Sequence, residues 1–200
     1  LVLFSALAQE REVRSVGSFK GVKVGEAIDV YLKKGDKESV KVEVTGARLS
    51  DVLTEVSGTY LKIHMRDGSY RNRDVKVYVT YVALEKIHAT SASNVFSEGM
   101  IQSTSMDISV SSAATIEISI ETDFVSIDAS SACDMVLEGK AKELALEVSS
   151  AGEVDAYGLE SEIVRANASS AGSAKISVSK ELNAHASSGG SIRFRGSPSK

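Results

Sequence analysis

The stretch ALEVSSAGEVDAYG, residues 145–158, places two serines, an alanine and a glycine inside a run that otherwise alternates like a strand. The pattern recurs from residue 84 onward as IHATSASNVF, ISVSSAATIEI, IDASSACDMVL, LEVSSAGEVDA, ANASSAGSAKI and AHASSGGSIRF. Ser91, Ser112, Ser131, Ser150, Ser170 and Ser188 hold equivalent places, at intervals of 21, 19, 19, 20 and 18 residues. A period near twenty without helical patterning marks a solenoid in which each repeat adds one coil. The chain is therefore expected to be all-β. Residues 84–198 are read as a right-handed parallel β-helix-like solenoid of about six coils of ~19–20 residues each.

Period-two alternation identifies the buried face. Stepping back in twos from each serine meets Ile87 and Ala89, Ile108 and Val110, Ile127 and Ala129, Leu146 and Val148, and then alanines at 166, 168, 184 and 186. Four residues after it come Val95, Ile116, Met135, Val154, Ala174 and Ile192. By this count the serines share the inward phase, and the residues two further on (Ser93, Ala114, Cys133, Gly152, Gly172, Gly190) are all small. Small side chains suit a tight corner where successive coils pass closely. Buried serine hydroxyls there would bond to one another or to bent backbone. A nucleophilic role lacks its partners: there is no Gly-x-Ser-x-Gly elbow, and His185 is confined to the last coil. Cys133 is the single cysteine, flanked by Ala132 and close to Met135, and is expected to be a small buried side chain rather than a nucleophile.

Upstream, FKGVKV, AIDVYLKKG, SVKVEVTG, YLKIHMRDG and VKVYVTYV alternate and break at Gly or Asp-Gly, with one helical turn in ARLSDVLTEV. Residues 17–83 are read as an N-terminal β-module that covers one end of the solenoid, whose open edges would otherwise recruit other chains. RDGSYRNRD, residues 66–74, is its most exposed basic segment and reads as a hairpin tip. The opening LVLFSALAQE runs apolar into Ala6-Leu7-Ala8, which predicts that residues 1–8 are the remnant of a secretory signal and that the chain is exported, to the periplasm or to the cell surface and outer membrane. No later run approaches the ~20 apolar residues of a membrane-spanning helix. With 27 acidic against 23 basic residues and no dense Lys/Arg cluster, nucleic acid is not an expected partner.

FKGVKVGEAIDVYLKKGDKESVKVEV, then LKIHM, the train of Ser-Ala turns, and the closing GGSIRFRGSP together resemble the auto-transporter adhesin head domain, or head GIN domain, family of Bacteroidetes. The resemblance covers roughly residues 19–198, with Ala27-Ile28-Asp29 where the family often has Gly-Ile-Asn, and mostly Ser-Ser-Ala where its turns often read Gly-Ala-Ser. It implies an exported all-β protein with a β-helical part and an adhesive role. It carries over no catalytic or binding residue, and no cofactor.

The outer face offers one further chemistry. Three residues before each marker serine stand His88, Ser109, Asp128, Glu147, Asn167 and His185, and three after it come Asp134 and Glu153 among others. Asp128 and Glu147 should be ~4.8 Å neighbours on adjacent coils. With Asp134 and Glu153 they could hold Ca²⁺ or act as a glycosidase pair, against the plainer reading of a solvated acidic strip. His88 and His185 are five coils apart, roughly 24 Å at that spacing, too far to share a metal. Two functions are therefore weighed: a non-enzymatic envelope or surface scaffold that binds glycan or protein, and a polysaccharide-active β-helix enzyme, either lyase or glycosidase. The first is preferred, because the outer columns lack the aromatic and basic residues a sugar-cleaving site uses. Self-association through the last coil at SIRFRG is a further expectation.

Overall fold

The computed structural model describes residues 9–200; the expected signal remnant, residues 1–8, lies outside the described residues. The fold is all-β, with a β-solenoid of about six turns. Its body is six strands: β9 (Asn94–Val110), β10 (Thr115–Ala129), β11 (Asp134–Val148), β12 (Glu153–Ala168), β13 (Ser173–Ala186) and β14 (Ser191–Arg195). Each pairs in parallel with the next. One coil is a four-residue serine corner, a first arm, an outer bend within the same long strand, and a second arm leading to the next corner. The inward alternation read from the sequence holds along both arms: Ile108, Val110, Ile116, Met135, Val148 and Val154 are all buried.

The marker serines stack in register, but they face solvent. Ser91, Ser112, Ser131, Ser150, Ser170 and Ser188, with the residues after them, adopt left-handed φ between 48° and 78°. Two consecutive left-handed residues reverse the pleat, so the period-two count that assigned these serines inward fails at the turn. The ladder that joins the corners is main-chain: the Ala132 N–H donates to the Ser150 carbonyl at 3.0 Å, and the same bond recurs from Ala92 to Ser112, Ala113 to Ser131 and Ala151 to Ser170. The small residues two positions on are inside as expected. Ser93, Ala114, Cys133, Gly152 and Gly172 are buried, and a Cβ on Gly172 would meet the Val148 carbonyl oxygen at 2.7 Å. Burial pushes the Cys133 thiol pKa up, as befits a packing residue.

The sheet does not stop at residue 84. Strands β2 (Gly21–Val24) and β3 (Asp29–Lys34) pair in parallel with β8 (Lys86–Ala89) and β9. Between them Glu26 and Ala27 are left-handed, at φ 62° and 53°, and the Ala27 N–H donates to the Ser91 carbonyl at 2.9 Å. Residues 21–34 are thus a coil of the same stack, hidden from the repeat search because Gly25-Glu26-Ala27-Ile28 stands where later coils have Ser-Ser-Ala. A second such coil is β6 (Tyr60–Met65) with β7 (Asp74–Tyr81), parallel to β2 and β3 respectively. The basic loop at 66–73 therefore replaces a corner and is not a hairpin tip, since β6 and β7 do not pair with each other.

Antiparallel strands finish this end. β4 (Ser39–Thr45) lies on β7, β5 (Val52–Ser57) on β6, and β1 (Glu10–Arg14) on β4. The expected helical turn is a single 3-10 turn, Leu49–Asp51, where the Arg48 guanidinium holds the Asp51 carboxyl below its ordinary pKa. Arg14 donates to the Leu49 and Val52 carbonyls at 2.8 and 2.6 Å, tying β1 across the end of the stack. At the opposite end Ala184 and Ala186 are exposed, whereas Ala166 and Ala168 one coil earlier are 1% exposed.

Candidate functional site

The outer bend arises because alternation slips. Ile120 is buried, Glu121 exposed and Thr122 buried, but Asp123 and Phe124 are both exposed before Val125 turns inward again. Two consecutive outward residues swing the strand from one arm to the other. Ser103, Thr122, Ala141, Ser161 and Val178 stack at the inside of this bend. The hydroxyl bonding expected at the serine corner, where Ser111 donates to Thr90 at 3.3 Å and Ser93 to the Val24 carbonyl at 3.4 Å, is found here as well. Thr122 Oγ1 donates to the Phe124 carbonyl at 3.0 Å, Ser103 donates to Thr122 at 3.3 Å, and Ser179 donates to the Ser161 carbonyl at 3.3 Å. Gly139 takes φ 112° against the Ile120 carbonyl, where a Cβ would lie 2.0 Å from the oxygen. A small residue nine positions before each of four marker serines (Ser103, Thr122, Ala141, Ser161) was the available sequence signal, and it slips by one in the next coil, where Val178 takes the place.

Along this bend runs a groove of about 1090 Å³, lined from Gln102 to Ser197. It crosses five successive strands, β9 to β13, and the segment that follows β14, roughly 24 Å at the parallel-strand spacing. Its walls are polar and of both signs. Lys142 meets Asp123 at 2.5 Å, Lys140 meets Glu160 at 3.9 Å, Lys180 meets Glu162 at 2.7 Å, and Gln102 donates to Glu121 at 3.0 Å. Asp123 raises the Lys142 pKa through its hydrogen bond and its charge. Such exposed pairs add little stability, but they set donors and acceptors on successive coils, at the spacing of parallel strands. Chemically, the groove is a row of rungs able to exchange hydrogen bonds with an extended, hydroxyl-rich or mixed-charge ligand.

The acidic residues singled out from the sequence form two pairs rather than one cluster. Asp128 is in register with Glu147 on one side of the serine corner, and Asp134 with Glu153 on the other. All four are exposed. Lys175 reaches Glu153 at 3.4 Å and Asp155 at 3.2 Å, which draws that pair into a local charge network. Among the described residues no three His, Cys, Asp or Glu side chains gather to hold a metal ion. The column His88, Ser109, Asp128, Glu147, Asn167, His185 is the in-register outward ladder expected, and it extends upstream through Lys23 to Lys62. Burial first, and then the Lys23 charge, push the His88 pKa below its ordinary 6.5, against an opposing pull from Asp107.

One further feature escaped the sequence reading. Tyr78, Tyr31 and Phe96 stack on adjacent strands with ring centroids 5.1 and 5.3 Å apart, capped by Lys41 at 4.0 Å. Tyr31 is covered on both faces by its neighbours and Tyr78 by Lys41, so the stack serves as cross-strand packing.

The family model described as "Putative auto-transporter adhesin, head GIN domain" matches residues 18–198. The fold is shared with solved structures. A "putative adhesin" from Parabacteroides merdae superposes with a TM-score of 0.81 at 16% identity, covering 96% of this chain and 90% of that one. One from Bacteroides fragilis gives 0.78 at 16% identity, over 94% and 95% of the two chains. One from Parabacteroides distasonis gives 0.77 at 21% identity, over 97% and 92%. No curated protein matches the sequence.

Proposed function

Because the chain belongs to the family of auto-transporter adhesin head GIN domains, we propose that it is a non-enzymatic, exported scaffold at the cell surface or in the periplasm. It binds an extended partner along the outer-bend groove. The observation that carries this reading is the groove itself: one polar channel of about 1090 Å³ that crosses the solenoid coils, its rungs repeating with the strands. A polymer of hydroxylated units, such as an envelope or host glycan, matches a regular row of short donors and acceptors. The adhesin names given to the family and to the similar structures agree with a binding role. Among the described residues no helix is long and apolar enough to cross a membrane.

The test is a glycan array and an envelope-protein pull-down with the purified protein, followed by the charge reversals Lys142→Glu and Glu160→Lys, which alter the groove walls at exposed positions. Saturable binding without product, weakened about tenfold or more by either reversal, is expected. Binding indifferent to both reversals overturns the groove as the site. Product release that disappears on changing Asp128 or Glu147 overturns the non-enzymatic reading in favour of a polysaccharide-active enzyme.

A further inference from the structure

A second concavity lies near the capped end of the stack, away from the groove. It is a pocket of about 280 Å³ whose walls include Lys23, Glu26, Lys62, His64, Thr90 and Ser91. Register accounts for its shape. Lys62 and Lys23 stand side by side on β6 and β2, both on the outward phase. Just past the end of β2 comes Gly25, whose missing side chain leaves a dent, while the following coil carries Thr90 at that place.

The charges around the dent are unbalanced in a way the later coils are not. From β10 onward, Lys140, Lys142, Arg165, Lys175 and Lys180 each meet a carboxylate on an adjacent coil. Lys23 and Lys62 are directly adjacent like charges, and among the described residues neither has a carboxylate oxygen within 4.0 Å. Two acids belong to this corner, Glu26 in the pocket wall and Glu55 beside it. Glu26 spends its Oε2 on the Met65 N–H at 2.5 Å, and Glu55, opposite Lys62 across β5, stays beyond ion-pairing distance. Arg73 donates to the Glu26 main-chain oxygen at 2.5 Å, adding a fixed cation to the same corner. Donors complete the lining. Thr90 Oγ1 accepts from Ser111 at 3.3 Å, so its own proton is free to point elsewhere. His64 Nδ1 donates to the Met65 carbonyl at 3.0 Å, leaving Nε2 as its second polar atom.

We propose that this pocket binds a tetrahedral oxyanion, the phosphate group of a phosphomonoester. The two ammonium groups neutralise the dianion, and the threonine and serine hydroxyls bond its remaining oxygens. Two adjacent unpaired lysines on rigid neighbouring strands repel each other in the empty protein, and a dianion between them removes that repulsion. His88, next in the ladder after Lys23, feels the same charge and reports on it.

The experiment is an NMR titration of the purified chain at pH 7, with inorganic phosphate in one arm and glucose 1-phosphate in the other, at ionic strength held constant with KCl. Saturable shifts at Gly25, Thr90 and the His64 ring are expected in at least one arm. Tighter binding in the second arm assigns the phosphate to a sugar, and equal binding assigns it to the free anion. Lys23→Gln and Lys62→Gln should each weaken binding about tenfold or more, while Lys175→Gln leaves it unchanged. Gly25→Thr, which installs the residue the following coil carries at this place, should block the pocket with no change of charge. Lys23→Gln should also raise the His88 pKa without ligand, which verifies that the variant is folded with this face intact. Linear, unsaturating shifts in both arms overturn the proposal, as does saturable binding that survives both lysine substitutions.

Discussion

Each coil turns twice, and its two turns are built from the same kinds of side chain on opposite terms. At the serine corner, Ser and Ala occupy left-handed backbone, point their side chains to water, and leave the stacking to carbonyls and N–H groups. At the outer bend the hydroxyls of Ser103 and Thr122 face inward and supply bonds that the kinked strand needs. The first turn is strained and closed on itself. The second is wide, relies on glycine where its backbone turns left-handed, as at Gly139, and leaves the groove outside it. Small polar residues thus mark a bend but do not say which way their side chains point; the backbone hand decides that.

The comparison can be broken most severely through its glycines. Gly139→Ala at the outer bend places a Cβ 2.0 Å from the Ile120 carbonyl at φ 112°, and should cost about 3 kcal/mol by chemical denaturation. Gly172→Ala at the serine corner, at 2.7 Å from the Val148 carbonyl and with no left-handed φ, should cost less; equal losses would mean that the two turns are equally tolerant. Thr122→Val keeps the shape and removes the hydroxyl, for an expected loss of about 1 kcal/mol. The smallest effect has the opposite sign. Ala151→Gly relieves a left-handed alanine at φ 60°, worth about 1–2 kcal/mol. It adds about 0.5–1 kcal/mol of unfolded-chain freedom, leaving a gain of about 0.5 kcal/mol. Gly189 already occupies this position in the last corner, at φ 78°.

The solenoid was legible because its inward residues recur at a fixed distance from a fixed turn, and one period-two count recovers both arms. The same count failed at Ser131 and its equivalents because alternation is a property of extended backbone and two left-handed residues cancel it. The coil at 21–34 was missed for a related reason: Glu26 and Ala27 take the corner's dihedrals without its composition. The region 17–83 was read as strands, which it contains, but its inner half belongs to the stack. Of the candidate acids, Asp128 and Glu147 were placed as neighbours by the repeat length alone, since adjacent coils share a register. The groove was not read, because its bend is announced only by two outward residues in succession, as at Asp123-Phe124, and single-sequence patterns rarely weight one slipped residue.

The carbonyl-to-amide link between corners has a further consequence. Every corner donates an N–H to the next one and offers the one before it a carbonyl, from Ala27 on Ser91 to Ala171 on Ser188. A copied stretch of about twenty residues, inserted at any corner by tandem duplication, would find both its neighbours already fitted to it. Descendants of this chain can therefore change reach in whole increments, each lengthening the channel by about 4.8 Å without redesigning either terminus.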